Sequence, residues 1–180
     1  MSENADAARV RECLAGDPQA FAALVGQYEK PVYNVALRML RNVEDARDVA
    51  QSVFMKAFQN LSSYDPQYKF YSWIYRMAIN ESLNILRVRG RNAGPVDDRL
   101  PTDDDGPSEL LDDELRRDVV LEAVERLKPE HRAVIVLKYF VDRDYDDMGE
   151  ILGIDAKTVK SRLYTARQLL KEQLATRGVL

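Results

Sequence analysis

The sequence predicts an all-α protein made of two small helical domains. Apolar residues recur at spacings of three and four along most of the chain, and no segment alternates apolar and polar residues as a half-buried strand does. Residues 92–110 combine prolines and glycines with a run of aspartates, which stop regular structure and keep a chain extended. We therefore expect one domain at 1–91 and another at 111–180, joined by an acidic flexible linker.

The helices expected from this spacing begin at residues that favour a helix start. Asp17, Asn42 and Asp155 each offer a side-chain oxygen that can accept a hydrogen bond from an unpaired amide of the first turn. Pro18 and Pro129 fit the first helical position, where a missing N–H costs nothing. The expected helices span residues 5–15, 18–40, 44–61, 70–89, 112–127, 130–140, 145–152 and 156–175.

The composition is that of a globular protein and excludes several classes. Hydrophobic residues make up 46% and charged residues 31% of the 180 positions. No run approaches the roughly 18 apolar residues of a membrane span, and the N-terminal residues lack the features of a signal peptide, so we expect a cytoplasmic protein. With one cysteine and one histidine, we expect no disulfide, no metal site and no cofactor.

Charge is distributed unevenly along the chain, and this matters more than its sum. A net charge of −4 by itself argues against a nucleic-acid partner. However, residues 69–91 contain five cations and one anion, and residues 157–171 contain five cations and no anion. This asymmetry indicates two basic surfaces that a polyanion could contact.

Aromatic residues are concentrated at the start of the first basic segment. Six of the fifteen aromatic residues, including the single Trp73, lie between residues 64 and 75. On a helical wheel Trp73 shares an outer face with Arg76, Asn80 and Arg87, where its ring could stack on an unpaired base while the arginines meet phosphates. The alternative, that Trp73 packs beneath a neighbouring helix, stays open at this point.

Residues 145–175 have the pattern of a helix-turn-helix. Gly149 provides a small residue where the two helices cross, Gly153 lies at the turn, and the apolar Val159 follows. The second helix of such a motif enters the major groove of duplex DNA. Its polar side carries Lys157, Lys160, Ser161, Tyr164, Gln168 and Lys171.

Helix 44–61 has a third distinctive face. Besides its buried apolar side it places Asp48, Gln51, Met55 and Phe58 together on an outer side. Exposed Met and Phe beside a carboxylate and an amide are typical of a protein-binding patch.

These segments resemble motifs of the extracytoplasmic-function (ECF) sigma factors, the smallest members of the housekeeping sigma superfamily of bacterial transcription. The stretch "EDARDVAQSVFMKAF" is similar to region 2.2, "YKFYSWIYRMAINESLNILR" to regions 2.3 and 2.4, and "DYDDMGEILGIDAKTVKSRLYTAR" to region 4.2. The resemblance covers nearly the whole chain. It implies an initiation factor that binds core RNA polymerase, melts and reads the minus-ten element with its first domain, and docks its second on the minus-thirty-five duplex. Members are usually held inactive by an anti-sigma protein.

The resemblance, with the patch on helix 44–61, assigns three sets of residues. The polymerase-binding residues are Asp45, Asp48, Gln51, Met55 and Phe58. The residues for minus-ten DNA are Lys69, Phe70, Tyr71, Trp73, Arg76, Asn80 and Arg87. The residues for minus-thirty-five DNA are Lys157, Thr158, Lys160, Ser161, Arg162, Tyr164 and Arg167. Arg162 lies off the exposed side of its helix, so a phosphate contact is its expected role.

The chain departs from the family pattern at a few positions. Ser52 stands where a Glu is common, which removes one expected charge from the polymerase-binding face. Lys157 replaces a frequent Gly and Thr165 a frequent Arg, so the upstream promoter sequence does not follow from relatives. Gly149 replaces the usual Ala, at a cost of about 1 kcal/mol in helix propensity, and could let the two helices approach closely.

Two other classes compete with this interpretation. A plain helix-turn-helix repressor or activator with an N-terminal dimerisation domain accounts for residues 145–175 but not for the aromatic and basic segment. An enzyme is disfavoured, because the sequence has no glycine-rich phosphate loop and no catalytic pair in a familiar setting, so we expect no small-molecule substrate.

Overall fold

The computed structural model describes residues 3–92 and 118–177, and all regular structure in these ranges is helical. The expected linker beyond its first residue and the expected helical residues 112–117 lie outside the described residues. The helices are α1 (Glu3–Leu14), α2 (Pro18–Leu40), α3 (Val43–Gln59), α4 (Phe70–Asn92), α5 (118–125), α6 (Pro129–Ile135), α7 (Tyr145–Leu152) and α8 (Ala156–Ala175). We call α1–α4 the first lobe and α5–α8 the second lobe.

The three predicted capping residues are confirmed. The side chains of Asp17, Asn42 and Asp155 each accept a hydrogen bond from a backbone amide of the first turn, at 2.9, 3.0 and 2.7 Å respectively. Pro129 occupies the first turn of α6. Asp144, which the sequence analysis did not single out, caps α7 in the same way at 2.7 Å. Local capping chemistry therefore marks the start of α2, α3, α7 and α8.

The expected helix 130–140 is not a single α-helix. It is α-helical as α6 and continues as a π turn over Val136–Phe140, in which the Val141 amide donates to the Val136 carbonyl. A π turn contains one residue more than an α turn and shifts the side chains that follow. The adjacent Tyr139 and Phe140 are both exposed, whereas the first residues of the turn are buried. Helix propensity alone does not predict this change of pitch.

The core of the first lobe lies where α2 packs against α3 and α4. All the apolar positions predicted for the inner face of helix 44–61 are buried, although α3 ends at Gln59. The buried residues are Ala46, Val49, Ala50, Val53, Phe54, Ala57 and Leu61. In the second lobe, Val159, Leu163 and Ala166 bury the inner face of α8 against α6 and α7.

The two lobes pack against each other in this structure. Their buried apolar side chains form one continuous cluster, and the main contact between the lobes joins α4 to α7. Arg132 of α6 is buried and donates hydrogen bonds to the backbone carbonyls of Met39 at the end of α2 and of Glu125 and Leu127 in its own lobe. One guanidinium therefore satisfies carbonyls on both sides of the boundary.

Gly149 is required where α7 crosses the start of α8. A Cβ at this position would lie 2.8 Å from the backbone oxygen of Ile154, which is closer than real Cβ atoms come. This confirms that the glycine lets the turn close tightly. Alanine at position 149 would favour the helix by its propensity, but its Cβ would overlap the backbone at the turn.

We expect Gly149→Ala to lower the free energy of unfolding by about 1–3 kcal/mol, because the backbone has to shift to relieve the overlap. Gly90→Ala is a matched control, since a Cβ at this position of α4 meets nothing within 4 Å. Gly90→Ala should raise the free energy of unfolding by up to about 1 kcal/mol, because alanine has a higher helix propensity than glycine. Chemical denaturation of both variants measures the difference, and equal stabilisation by both would contradict the close-approach role.

Candidate functional site

The outer side of α4 carries the residues predicted to meet a DNA strand. Arg76, Asn80 and Arg87 are exposed, as the helical wheel predicts. Phe70 is only 2% exposed, so it cannot contact a strand in this structure and serves instead as packing beneath the neighbouring rings. Its position at the first turn of α4 points the Phe70 side chain into the core, and its place in the minus-ten set stays a prediction.

Trp73 is half-buried and belongs to an aromatic cluster. Its ring centroid lies 5.5 Å from that of Tyr64 and 5.8 Å from that of Phe70, at tilted angles. The Tyr64 hydroxyl is held by the Tyr68 carbonyl at 2.7 Å. One portion of the Trp73 ring therefore packs on Tyr64 and Phe70 and the rest faces a cavity, and its stacking on a base stays a prediction.

A cavity of about 220 Å³ lies next to Trp73. It is lined by Ser63, Tyr64, Asp65, Tyr68, Ser72, Trp73, Arg76 and Glu150. The hydroxyl of Ser72 is buried and has no hydrogen-bond partner among the described residues. Aromatic walls with free polar groups are what an unstacked base needs. The residues of the 61–68 turn were not assigned to the site from sequence, although the aromatic density at Tyr64 and Tyr68 was a signal for them.

The second lobe contacts the same side of α4. The Asp147 carboxylate accepts hydrogen bonds from Lys69 Nζ at 2.9 Å and from the Tyr71 hydroxyl at 2.7 Å. The Arg76 guanidinium donates to the Glu150 carbonyl. Burial, together with the hydrogen bond to Asp147, raises the pKa of Tyr71, so this hydroxyl keeps its proton and acts as a donor. Three residues predicted for minus-ten DNA are therefore engaged by α7.

The exposed side of α8 is formed as the helix-turn-helix pattern predicts. Lys157, Lys160, Ser161 and Tyr164 are exposed, with Tyr164 at 66%. Gly153 has a positive φ of 67° at the turn, a conformation that glycine adopts without strain.

The other residues predicted to contact minus-thirty-five DNA differ in their exposure. Thr158 is half-buried, and its amide and hydroxyl donate hydrogen bonds to the Asp155 carboxylate in the helix cap. Arg162 is half-buried at the edge of the exposed side, and Arg167 donates to the Tyr139 hydroxyl at 2.7 Å.

A large apolar groove lies between α2 and the outer side of α3. Its volume is about 810 Å³, and Phe21, Val25 and Tyr33 form the wall on α2. Met55 and Phe58 of α3 are 56% and 55% exposed, and both line the groove. Gln51 also lines the groove, whereas Asp48 is exposed on the outer side of α3 but is not part of the groove lining. Four of the five predicted polymerase-binding residues, all except Asp45, are therefore exposed on this side.

Polar contacts join α3 to α4. Asp45 is half-buried and pairs with Arg89, so its carboxylate is already engaged within the chain. Ser52 donates to Glu81 at 3.2 Å, and Lys56 also pairs with Glu81. A glutamate at position 52, as is common in the resembling family, would place two carboxylates against each other. The departure at Ser52 is thus explained by its partner on α4.

Within 3–92 and 118–177, no group of His, Cys, Asp and Glu side chains is arranged to hold a metal ion. None of the helices in these ranges combines the length and the apolar character needed to cross a membrane.

Comparison with known proteins identifies both lobes. Residues 24–92 match the model of sigma-70 region 2, and residues 117–170 match that of sigma-70 region 4. The chain is 32% identical over 177 residues to the ECF RNA polymerase sigma factor SigW of Bacillus subtilis, an alignment that covers 92% of this chain and 95% of SigW.

Solved structures share the fold. CnrH, in a structure with the cytosolic domain of CnrY, superposes with a TM-score of 0.73 at 24% identity, over 96% of this chain and 98% of CnrH. The sigma factor RpoE of Bartonella quintana, solved with the anti-sigma factor NepR, gives a TM-score of 0.65 at 24% identity, over 86% of this chain and 96% of RpoE. The chain therefore belongs to the sigma-70 family and, within it, to the ECF RNA polymerase sigma factors, the alternative sigma factors that direct core RNA polymerase to specific promoters and initiate transcription.

Proposed function

We propose that the two lobes divide promoter recognition between them. In this proposal the domain at 1–91 binds core polymerase and opens the minus-ten element, and the domain at 111–180 reads the minus-thirty-five duplex. The observation that carries the proposal is the separation of three surfaces with different chemistry: the apolar groove beside α3, the aromatic and basic side of α4, and the exposed basic side of α8.

The polymerase-binding surface is proposed to be the groove with its rim. Exposed Met and Phe side chains beside a carboxylate are more typical of a protein interface than of a solvated surface. Asp48 and Gln51 supply polar contacts at the edge, while Met55 and Phe58 supply apolar area. Asp45 acts through its pair with Arg89, which positions α4 relative to α3.

The strand-binding surface is proposed to run along α4 from Lys69 to Arg87. Trp73 and the cavity beside it would accept an unstacked base, and the exposed Arg76 and Arg87 would meet phosphates. Asn80 can donate and accept at a base edge. Extruding a base costs a few kcal/mol, and a preformed aromatic cavity offsets part of that cost.

The duplex-binding surface is proposed to be the exposed side of α8. Lys160, Ser161 and Tyr164 face outward next to the turn, in the position from which a recognition helix reaches base edges. Arg162 and Arg167 flank this side and would contact the backbone.

We also propose an anti-sigma protein as a regulatory partner, because RpoE of Bartonella quintana was solved with the anti-sigma factor NepR. The protein would work where transcription takes place, in the bacterial cytoplasm, as a binding factor and not as an enzyme.

Transcription with core polymerase tests the proposal. A library of genomic fragments from the source organism is transcribed by core polymerase with and without the protein, and start sites are mapped. We expect new start sites preceded by a shared pair of sequence elements. Gel shifts provide the second measurement, since a plain helix-turn-helix regulator would bind its operator equally well without polymerase. Specific binding that does not depend on polymerase, without new start sites, would overturn the assignment.

A further inference from the structure

We propose that Asp6 of α1 is a positioning residue for promoter opening, because it holds the aromatic wall of the cavity beside Trp73 through Tyr28. The inference rests on the proposed function, in which that cavity accepts an unstacked base. α1 ends at Leu14, before the residues that match sigma-70 region 2, and none of its described residues lines the cavity. Asp6 therefore acts on the strand-binding surface only through other residues.

Asp6 is a buried carboxylate at the boundary between α1 and α2. It is only 6% exposed, and an anion in such a position requires partners. The Tyr28 hydroxyl donates a hydrogen bond to one carboxylate oxygen, and the Gln27 side-chain amide donates to the other at 3.0 Å. Arg9 lies 3.6 Å from the carboxylate and donates to the Gln27 side chain at 2.7 Å. The carboxylate therefore has two separate connections to α2.

The connection through Tyr28 leads into the aromatic cluster. The centroid of the buried Tyr28 ring lies 5.5 Å from that of Phe70. The Phe70 centroid in turn lies 5.5 Å from that of Tyr64 and 5.8 Å from that of Trp73. Tyr64 and Trp73 line the cavity, and Phe70 and Tyr28 pack behind them. Because rings in a close-packed interior cannot shift independently, the position of Tyr28 limits the positions of the two rings that line the cavity.

A second contact leads from α1 to the same wall. α1 packs against the helical turn Leu61–Ser63, which directly precedes Tyr64. Burial raises the pKa of Tyr64, and the negative charge of Asp6 raises it further. Asp6 thus binds one tyrosine of the cluster directly and lies close enough to the other to act on it through space.

The connection through Gln27 differs in kind. Gln27 is half-buried and joins Asp6 to Arg9, both of which belong to α1. Its hydrogen bonds hold α1 against α2 without an aromatic ring that leads on to Phe70. The two connections can therefore be cut one at a time, and only the loss of the Tyr28 connection should reach the cavity.

Two substitutions on α2 separate positioning from mere attachment of α1. Tyr28→Phe removes the hydroxyl that Asp6 holds and keeps the ring, whereas Gln27→Met removes the other hydrogen bond and keeps the length of the side chain. Permanganate footprinting measures the open fraction of complexes with core polymerase on one mapped promoter, and gel shifts measure its occupancy. Tyr28→Phe should lower the open fraction about three- to tenfold at unchanged occupancy, because part of the free energy of a hydrogen bond to a charged group is lost at the cavity. Gln27→Met should change the open fraction less than about twofold.

The single tryptophan provides a readout that does not depend on polymerase. Trp73 is the only tryptophan in the sequence, so the tryptophan emission of the free chain reports the packing of the cavity wall. Tyr28→Phe should shift the emission maximum and increase quenching by acrylamide, whereas Gln27→Met should leave both as in the parent chain. Asp6→Ala breaks the same hydrogen bond from α1 and should change the emission in the same direction as Tyr28→Phe. Circular dichroism establishes that each variant is folded.

Combination with Trp73→Ala tests whether the effect passes through the cavity wall. Residues that act through one another have non-additive effects. In the Trp73→Ala chain, Tyr28→Phe should therefore lower opening by no more than about a further twofold. Full additivity would overturn the positioning role of Asp6, as would equal effects of Tyr28→Phe and Gln27→Met on opening. Tryptophan emission that stays unchanged in both Tyr28→Phe and Asp6→Ala would overturn it as well.

The outcome is separable from that of the proposed function. If the parent chain opens promoters with core polymerase but Tyr28→Phe and Gln27→Met behave alike, Asp6 only attaches α1, and the promoter assignment stands. If the parent chain opens no promoter although the emission of Trp73 depends on Tyr28, the promoter assignment fails, and the role of Asp6 in opening fails with it.

Discussion

Replacing Asp48 by lysine is expected to abolish association with core polymerase while leaving the helical content unchanged. Asp48 is exposed on the outer side of α3, next to the groove that Met55 and Phe58 line, so the change does not disturb the buried side of the helix. It replaces an anion by a cation at the edge of the proposed interface, and like-charge or unpaired contacts there cost several kcal/mol. Co-purification with core polymerase measures the effect, and circular dichroism measures the helix content.

Glu12→Lys is the control for this prediction. Glu12 is an exposed carboxylate on α1, and it precedes the residues that match sigma-70 region 2. The control makes the same change in net charge away from the groove, and it should bind polymerase like the parent chain. If both variants bind equally well, the groove beside α3 is not the polymerase-binding surface.

Truncating Trp73 to alanine is expected to damage promoter opening more than duplex binding. Part of the ring faces the cavity next to Ser72 and Arg76, where it becomes useful only after the strands separate. Losing one base stacked on an aromatic ring costs about 1–3 kcal/mol, which lowers the population of open complexes about five- to a hundredfold. Binding of the closed duplex through Lys160 and Tyr164 should survive. Permanganate footprinting of unpaired thymines measures opening, and gel shifts of the polymerase complex measure docking.

The half-buried position of Trp73 makes a second variant necessary. Its contacts with Tyr64 and Phe70 mean that Trp73→Ala also loses packing, although less than the about 3–5 kcal/mol of a fully buried aromatic residue. Trp73→Phe keeps a ring in the cluster and a surface for stacking, so it should restore most of the opening. Equal opening by the alanine variant and the parent chain on a duplex template would exclude the stacking role.

Local features of the fold could be predicted from the sequence because their causes are local. A cap such as Asp155 acts on an amide of its own helix, and the buried side of α8 follows from apolar residues spaced three and four apart. The same reasoning placed Asp48 and Met55 on the outer side of α3, where the structure has them. Helical periodicity predicts only the direction in which a side chain points around the axis of its own helix.

Contacts between distant parts of the chain could not be predicted in this way. Lys69 and Asp147 are 78 residues apart, and nothing in the spacing of either segment indicates that they meet. For the same reason the wheel left Trp73 undecided, since the ring packs partly on Tyr64 in a turn outside its helix. When a side chain contacts both its own helix and a distant segment, its exposure depends on the packing of the whole molecule.

Under the proposed assignment of surfaces, the polar contacts between α3 and α4 constrain the position at which transcription begins. Arg89 pairs with Asp45 in the first turn of α3, and Glu81 contacts Ser52 and Lys56 further along α3, so the two antiparallel helices are joined at two points. A polymerase bound on the outer side of α3 would therefore keep α4 at a fixed distance from itself. The spacing between the promoter element that α4 reads and the first transcribed nucleotide would then depend on this rigid helix pair and not on a flexible joint.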